Sequence, residues 1–528
     1  MRTGEQRRAG ILIPLFSIRS DRSWGAGEIP NLAPMARWSS QAGIRVIQML
    51  PVNAVLSGET SPYSASTAFA IDPVYLGLDA CDDFVAAGGR GALSDEDRRL
   101  LDQVSSAPAV SWKRLRALKE RAMRMAFAYF SAHEQRGGGC SKRASDFSRF
   151  CEENQRWIDD WALFAALHRK FDKHWRDWPE DLAERRPAAL EKARKAHAKE
   201  IAFVTWQQWQ LDRQWRVARA EAQSLGVELM GDLPFVVAED SADVWAHREL
   251  FRLGMRVGVP PDDLYAEGQD WGLPLFNWNA MEKTGFAWMR ERAERTGRLF
   301  GLYRIDHVIG MYRTYFRSAD GRESGFTPSD EEAQIRLGET LLAMMNEYGE
   351  VIAEDLGTAP WFLRPSLNRL GLPGYRVLRW EKDDLWRDGR MQPFFRDPAQ
   401  WPAVSVATSG THDTSAQAEW YDGLSHDDRR ALARVSGLSH LDHNRKFDDE
   451  VRDAFLRLLY RSGSNLCLSP FQDLLGHREQ VNVPGSVDER NWTYRMPMTV
   501  EALDADQSTA DRLRALSEES NRRFHAAE

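Results

Sequence analysis

The sequence predicts an α/β protein whose core is a (β/α)8 TIM barrel. Eight short apolar runs typical of buried strands are spread along the 528 residues, and helical patterns separate most of them. This alternation is typical of parallel strands joined by helical crossovers. An open doubly wound sheet is the alternative. No G-x-G-x-x-G or Walker-type loop follows any of the runs, which disfavours the nucleotide-binding version of that sheet.

The alternation begins near the N-terminus. Residues 11–16 predict the first strand, and a helical pattern over residues 31–42 ends at Gly43. The apolar run 46–50 predicts the second strand. It stops at Pro51, because proline cannot donate a ladder hydrogen bond.

The character of the chain changes between residues 94 and 226, where long amphipathic patterns such as 112–132 and 187–224 predict helices. Trp206, Trp209 and Trp215 recur at roughly helical intervals in the second pattern. We interpret them as helix–helix packing rather than as a binding surface. Residues 94–226 are therefore predicted to be a helical insertion.

Strand-like runs return in the second half of the chain. The third begins at Val227, and helical patterns such as 329–348 and 449–462 separate later ones. With the first two, these runs complete the eight strands of the predicted barrel. The remaining runs are residues 302–305, 350–353, 375–380, 404–408 and 466–469.

Composition excludes several function classes. The formal net charge is −8, which gives no electrostatic reason to expect nucleic acid or an anionic membrane as a partner and suits a neutral substrate. The apolar run 10–16 is short, contains Pro14 and lacks a small-residue cleavage site, so we predict no signal peptide. No apolar stretch approaches the length of a membrane span.

The four cysteines, by contrast, suit a cytoplasmic protein with reduced thiols. No pair has C-x-x-C spacing, so a zinc site or a redox motif is disfavoured. These cysteines are Cys81, Cys140, Cys151 and Cys467.

Asp306 follows one predicted strand, and Arg304 precedes it by two positions. Residues i and i+2 of a strand point to the same side, so we expect the guanidinium beside the carboxylate. Such a pair would hold a nucleophilic carboxylate ionised and in one rotamer. A structural Arg–Asp pair and a helix cap are the alternatives at this segment.

Glu354 and Asp355 follow the apolar run 351–353. A general acid must be protonated near neutral pH, and burial or a neighbouring negative charge would provide that at Glu354. Asp355 is also a candidate, with a helix cap or a salt bridge as its alternative. Adjacent residues point to different sides, so the sequence leaves open which of the two faces a site.

A third carboxylate, Asp413, follows the run 404–408 and stands beside His412, as His307 stands beside Asp306. A carboxylate and imidazoles can grip a distorted sugar, and three acids at the ends of barrel strands predict a glycoside-bond site. These His-Asp pairs lack the i, i+4 spacing of helical metal ligands, so we predict no catalytic metal.

Segment 258–279, within a predicted insertion at residues 240–298, is rich in proline and glycine and too long for an ordinary connection. Aromatic rings on such a loop suit a lid that stacks on a substrate and excludes water, whereas an ordinary packed loop is the alternative. Its aromatic residues are Tyr265, Trp271, Phe276 and Trp278.

Together these segments resemble the amylomaltase family, the 4-α-glucanotransferases of the α-amylase clan. The resemblance runs in order through most of the chain, beyond the Arg304, Glu354 and Asp413 segments. Its further motifs are Ala9-Gly10-Ile11-Leu12, Ser61-Pro62-Tyr63-Ser64, Gly231-Asp232-Leu233-Pro234, Asp240-Ser241-Ala242-Asp243, Gly258-Val259-Pro260-Pro261-Asp262, Trp271-Gly272-Leu273-Pro274, Asn482-Val483-Pro484-Gly485 and Asn491-Trp492-Thr493-Tyr494-Arg495.

The resemblance implies one catalytic barrel spanning residues 1–528, with helical and loop insertions and no separate C-terminal β-domain. It implies that Asp306 is the nucleophile, Glu354 the acid/base and Asp413 the transition-state stabiliser. Subsite −1 would be lined by Arg304, His307 and His412. The further residues in motifs that contact substrate are Tyr63, Asp232, Trp271 and Asn482.

The implied activity is retaining transfer of an α-1,4-glucan segment to the 4-hydroxyl of an acceptor, without a cofactor. The implied partners are maltooligosaccharides, α-1,4-glucans from starch or glycogen, and glucose. Roughly 5–5.5 Å would separate the carboxyls of Asp306 and Glu354 in a retaining enzyme, against roughly 6.5–9.5 Å in an inverting one. The alternatives are an α-1,4-glucan hydrolase and a catalytically silent glucan-binding protein, the latter disfavoured because all three acids are present.

Three segments beside the predicted site depart from the family pattern. Val308-Ile309-Gly310 follow His307 where the family carries Phe-Arg-Gly, and Thr414-Ser415-Ala416 follow Asp413 where it carries Asn-Asp-Thr. Residues 375–384 are also unusually charged. These departures bear on acceptor preference and chain length.

Overall fold

The computed structural model describes residues 6–135, 141–261, 268–387, 389–486 and 488–522. Eight parallel strands close into a barrel in the order β1-β14-β13-β10-β9-β6-β3-β2, which confirms the predicted fold. The barrel strands are β1 (Arg8–Leu12), β2 (Val46–Gln48), β3 (Glu228–Leu233), β6 (Leu302–Ile305), β9 (Glu350–Ala353), β10 (Gly374–Val377), β13 (Ser405–Thr408) and β14 (Leu466–Pro470).

The predicted strand bounds are correct for β6 and β9 and shifted elsewhere. The first strand ends at Leu12, because Pro14 cannot extend the ladder and Leu15–Ser17 form a 3-10 turn. The run that continues to Phe16 is apolar because its side chains are buried rather than because they pair. The strand predicted at 375–380 ends at Val377, where the chain turns and the Trp380 N–H donates to the Val377 carbonyl.

Register places the candidate acids at one end of the barrel. Asp232 of β3 lies opposite Arg304 of β6, and Ile305 lies opposite Ala353 of β9. Asp306 and Glu354 therefore leave two neighbouring strands at the same level. Apolar side chains from seven of the eight strands, all but β1, fill the barrel interior beneath these two acids. These side chains are Val46, Met230, Leu302, Ile352, Tyr375, Val377, Val406, Leu466 and Leu468.

The helices surround the barrel and form the layer between strands and solvent. They are α1 (Leu32–Gln41), α2 (Asp82–Ala86), α3 (Asp95–Ser106), α4 (Trp112–Phe130), α5 (Lys142–Phe171), α6 (Glu180–Ala183), α7 (Pro187–Ala196), α8 (Ala198–Ser224), α9 (Ala242–Ala246), α10 (Trp278–Lys283), α11 (Ala287–Leu299), α12 (Ile309–Tyr312), α13 (Glu331–Met345), α14 (Leu363–Leu370), α15 (Gln417–Asp422), α16 (His426–Leu432), α17 (Asp449–Tyr460), α18 (Phe471–Leu475), α19 (Val500–Ala505) and α20 (Gln507–Glu519).

The described part of segment 94–226 is helical, although the pattern predicted over 187–224 is two helices, α7 and α8, divided at His197. Trp206, Trp209 and Trp215 of α8 are buried, as the packing interpretation requires. Helix α8 also packs on α1 and on β3, the next barrel strand. The division into a barrel with insertions at 94–226 and 240–298 stays a prediction.

The described parts of segment 258–279 are not the loop that its glycine and proline content predicts. An antiparallel sheet in the order β5-β4-β7-β8 contains much of it. At Gly258 a side chain would lie 1.8 Å from the Gln269 carbonyl oxygen, so the close pairing of β4 and β5 requires glycine. The strands are β4 (Phe251–Val259), β5 (Gln269–Phe276), β7 (Thr314–Ser318) and β8 (Ser324–Thr327).

A two-stranded ribbon that the sequence did not predict stands between β10 and β13. Its antiparallel strands are β11 (Lys382–Arg387) and β12 (Arg390–Phe395). Gly389, at a φ of +77°, takes a left-handed conformation in the turn between them.

The described residues after β14 contain the helices α18, α19 and α20 and no strand. Within the described residues, no helix combines the length and the apolar character needed to cross a bilayer. Arg522, fully buried, donates hydrogen bonds to the carbonyls of Tyr460, Arg8, Ser464 and Asn465. It thereby joins the end of the described chain to the first strand.

Candidate active site

Arg304 is the centre of the site at the carboxyl end of the barrel. Its Nη1 donates to both carboxylate oxygens of Asp232 at 2.8 Å. Its Nη2 lies 2.7 Å from Asp306 Oδ1 and 3.7 Å from Glu354 Oε2. The pairing of Arg304 with Asp306 follows from the i, i+2 spacing. Burial alone lowers the pKa of Arg304, but Asp232 and Asp306 raise it well above its ordinary value, so the guanidinium stays charged.

Glu354, rather than Asp355, faces this site. Backbone N–H groups of His307 and Leu356 donate to its two oxygens at 2.8 and 2.9 Å. Burial raises the pKa of Glu354 to about 8, despite the opposing charge of Arg304. The carboxyl is therefore protonated at neutral pH, which is the state that a general acid requires.

Asp355 points into the protein and has a structural role. It accepts a hydrogen bond from the Tyr375 N–H at 2.7 Å and one from Arg364 Nε at 3.1 Å. Its side chain also fills the space beside Gly374, where a Cβ would lie 2.7 Å from a carboxylate oxygen. The open choice between two adjacent acids is thereby resolved in favour of Glu354.

Asp413 lies on the loop after β13 and is held from two sides. Asn482 Nδ2 donates to its Oδ1 at 2.6 Å, and His412 Nε2 lies 3.2 Å from its Oδ2. Burial alone would raise the pKa of Asp413, but His412 and Asn482 hold it below its usual value. Asp413 is thus an ionised acceptor, whereas Glu354 is a neutral acid.

His307 follows Asp306 in a left-handed backbone conformation, with a φ of +47° that is uncommon for a residue other than glycine. Its backbone N–H donates to Glu354. Burial lowers the pKa of the imidazole to about 4, so the ring is neutral at pH 7. The imidazole and the indole of Trp271 lie nearly perpendicular to each other at a centroid distance of 4.8 Å.

Of the other aromatic residues predicted for the 258–279 segment, Phe276 and Trp278 are buried in the core, which contradicts a lid role for them. Tyr265 lies outside the described residues. Trp271 remains half-buried, and Gln269 Oε1 accepts its indole N–H at 2.9 Å.

An unbroken series of contacts joins all ten predicted site residues. Beyond the contacts above, Tyr63 Oη donates to Asp232 at 2.8 Å, and its ring stacks on His412 at 5.1 Å. The series runs Asn482, Asp413, His412, Tyr63, Asp232 and Arg304. Arg304 contacts both Asp306 and Glu354, and from Glu354 the series continues to His307 and Trp271.

Two neighbours of this series were not predicted from the sequence. Trp492 packs on both Tyr63 and His412, and Gln480 donates to the backbone carbonyls of Asp413 and Asn482. Trp492 stands in one of the motifs that carry the resemblance, so its motif was a usable signal. Gln480 has no such signal. Among the described residues, no group of three or more His, Cys, Asp or Glu side chains is arranged to hold a metal ion.

The family model described as 4-alpha-glucanotransferase matches residues 13–499. The chain belongs to the 4-alpha-glucanotransferase family. A 4-alpha-glucanotransferase of Thermus thermophilus is 34% identical over 533 residues, covering 98% of this chain and 99% of the relative. One from Chlamydia pneumoniae is 29% identical over 519 residues, covering 95% and 93%.

Solved structures agree on the fold. An amylomaltase from Streptococcus agalactiae in complex with acarbose matches with a TM-score of 0.82 at 22% identity, covering 98% of this chain and all of that one. The amylomaltase from Corynebacterium glutamicum matches with a TM-score of 0.79 at 21% identity, covering 98% and 76%. The barrel with its surrounding helices is thus that of the 4-alpha-glucanotransferases, and the protein is an enzyme of that family.

Proposed function

We propose that this 4-alpha-glucanotransferase works by retention, through a covalent glycosyl-enzyme on Asp306. The observation that carries the proposal is the sharing of Arg304 Nη2 between Asp306 and Glu354, at 2.7 and 3.7 Å. The two carboxylate oxygens cannot be farther apart than the sum of these distances. Their separation therefore lies at or below the lower edge of the roughly 6.5–9.5 Å range of inverting enzymes, which must leave room for a water molecule, and this favours retention.

In the first half-reaction, an Asp306 oxygen attacks the anomeric carbon of the donor glucan while the C–O bond to the leaving chain breaks. Glu354 gives its proton to the departing oxygen, as its raised pKa permits. Arg304 holds Asp306 in one orientation throughout.

In the second half-reaction, the 4-hydroxyl of an acceptor glucan or of glucose attacks the same carbon. Glu354, now ionised, takes the hydroxyl proton, and the bond to Asp306 breaks. This returns both carboxyls to their starting states, and the new α-1,4 bond keeps the configuration of the old one.

Asp413 is proposed as the stabiliser of the transition state. Its ionised carboxylate accepts hydrogen bonds from sugar hydroxyls, and these strengthen as positive charge develops on the ring. His412 and Asn482 hold Asp413 in place. We assign Arg304, His307 and His412 to the subsite at the cleaved bond, and Tyr63, Asp232, Trp271 and Asn482 to further substrate contacts.

We infer that the substrates are maltooligosaccharides and α-1,4-glucans derived from starch or glycogen, with glucose as an acceptor. The acarbose bound to the Streptococcus amylomaltase supports a sugar-like ligand. The net charge of −8 supports a neutral substrate rather than nucleic acid or an anionic membrane. We place the enzyme in the cytoplasm, which is consistent with the free thiols of Cys81, Cys151 and Cys467.

Incubation with maltotriose tests the proposal. Transfer yields glucose together with chains longer than maltotriose, which chromatography separates. Glucose and maltose alone would instead identify an α-glucan hydrolase.

The Glu354→Gln variant tests the role of the acid. We expect it to lose turnover and to retain binding of maltooligosaccharides, because the amide cannot transfer a proton. Full activity in this variant would refute the assignment of Glu354, and loss of both activity and secondary structure would show instead that the residue is needed for folding.

A further inference from the structure

The ribbon formed by β11 and β12 exposes two large apolar side chains next to each other. Trp386 and Met391 lie directly opposite in the antiparallel register, so they project from the same side of the ribbon. Their exposed fractions are 70% and 54%. Asp384, also exposed, stands two positions before Trp386 and therefore on that same side. We call these three residues the ribbon platform.

The ribbon stands at the end of the barrel where the site lies. It follows β10, which pairs with β9 on one side and with β13 on the other. Glu354 comes directly after β9, and Asp413 lies on the loop after β13. The ribbon thus rises between the two strands that lead to these carboxylates.

The ribbon is fixed to helix α16 both at its base, through Lys382, and beside its turn, through Arg390. Lys382 Nζ lies 2.9 Å from Asp428, and Arg390 Nη1 lies 3.0 Å from Asp427. Phe395 packs edge-on against Trp420 of α15. These contacts give the platform a defined position and leave Trp386 and Met391 uncovered.

The side chains of the platform suit a pyranose ring. The apolar C–H face of a sugar packs on an indole face, and Met391 extends this apolar surface. The Asp384 carboxylate can accept hydrogen bonds from sugar hydroxyls. A single exposed tryptophan would need no explanation. Here two paired apolar residues lie beside the hydrogen-bond acceptor Asp384, at the catalytic end of an enzyme that transfers polymer segments, and together they form a surface suited to binding a sugar.

We propose that the ribbon platform binds an α-1,4-glucan chain outside the active site, adding contacts for long substrates that short ones do not reach. This inference rests on the proposed function. The negative charge of Asp384 and of the whole chain disfavours an anionic ligand. A second copy of this protein is the competing occupant of the platform.

The first test compares two substrates of different length. We expect Trp386→Ala to raise KM for long-chain amylose about tenfold, as expected for the loss of one aromatic contact, and to leave kcat/KM for maltotriose unchanged. Trp386→Phe should restore part of the affinity. Trp361→Ala is the matched control, since Trp361 is 73% exposed and its indole bonds to Glu331.

The second test measures binding without turnover. In native gels containing soluble starch, the Glu354→Gln protein should be retarded, and Glu354→Gln with Trp386→Ala should lose most of that retardation. Equal retardation of the two proteins would refute glucan binding at the ribbon platform, whatever the maltotriose reaction shows. A dimer that Trp386→Ala dissociates in analytical ultracentrifugation, with unchanged retardation, would assign the surface to a second copy.

Discussion

At the scale of single residues, the site separates two carboxyls by their surroundings. Glu354 is buried and receives only backbone N–H donors and a guanidinium at 3.7 Å, so its neutral form is favoured. Asp413 has His412 and Asn482 against its two oxygens, so its ionised form is favoured. One site thereby contains a proton donor and a fixed negative charge at the same pH.

The raised pKa of Glu354 predicts the alkaline side of the pH profile. Its protonated fraction falls as pH rises through about 8, so kcat/KM for maltotriose should be level near pH 7 and fall roughly tenfold per unit above 8. An α-maltosyl fluoride donor provides the control, because fluoride departs without protonation. If kcat/KM fell equally above pH 8 with both donors, the alkaline decrease could not be due to deprotonation of Glu354.

The guanidinium of Arg304, shared between Asp232 and Asp306, predicts how activity responds to Arg304→Lys. Arg304→Lys keeps the positive charge but replaces two nitrogens, one directed at Asp232 and one at Asp306, by a single one. We expect kcat/KM to fall at least about 100-fold, with the fall mainly in kcat because Asp306 loses its orientation. Arg298→Lys, on the exposed face of α11, is the control and should retain full activity.

At the scale of elements, the sequence predicted the barrel strands because each is a short apolar run that stops at a polar or turn residue. It did not predict β4 and β5, because their pairing depends on Gly258 and on prolines that signal a loop when read locally. The β11–β12 ribbon was also missed, although Asp388-Gly389 between two short runs is a hairpin signal. Charged residues in both runs hide the alternation of apolar and polar residues that would predict a strand.

The contacts of the site also divide into local ones, which the sequence predicts, and tertiary ones, which it does not. Arg304 and Asp306 are two positions apart on one strand, so their pairing was predictable from spacing. The contacts of Tyr63 with Asp232 and His412 were not, since they depend on how the loops after β2 and β13 fold over the barrel. Sequence patterns report local geometry, and these contacts are tertiary.

The close pairing of β4 and β5 predicts an effect of Gly258→Ala. The added Cβ meets the Gln269 carbonyl, so β5 must move, and with it Trp271 beside His307. We expect the free energy of unfolding to fall by about 1–3 kcal/mol and KM for maltotriose to rise. In Gly91→Ala, where the new atom meets open space, urea unfolding and KM should match the unmodified enzyme.

At the scale of the whole molecule, polar contacts tie the distant parts of the barrel together at the end opposite the site. Arg8 of β1 forms ion pairs with Glu228 of β3 and Glu350 of β9. Arg522 joins the carbonyls of Arg8, Tyr460, Ser464 and Asn465. This end therefore serves stability, while the other end holds the candidate active site.

Arg522→Ala should show that separation. It removes one donor from each of four carbonyls, of which Tyr460 keeps a bond from Arg7 and Asn465 keeps one from the Arg8 N–H, so we expect the free energy of unfolding to fall by about 3 kcal/mol. The folded enzyme at 25 °C should keep its kcat/KM, since Arg522 is far along the barrel from Asp306. Calorimetry measures the first and maltotriose kinetics the second. Arg514→Ala, at an exposed position of α20, should change neither.

Closure of the barrel between β1 and β14 has a consequence for biosynthesis. The first strand, Arg8–Leu12, pairs with β14, Leu466–Pro470, so the ring of strands cannot close until β14 has left the ribosome. Such distant pairings also slow folding, since the chain must pay the entropy of a long loop before the contact forms. Asp413 and Asn482 belong to this late portion. Every nascent chain therefore exposes an unclosed parallel sheet until β14 emerges, and active enzyme can form only after that point.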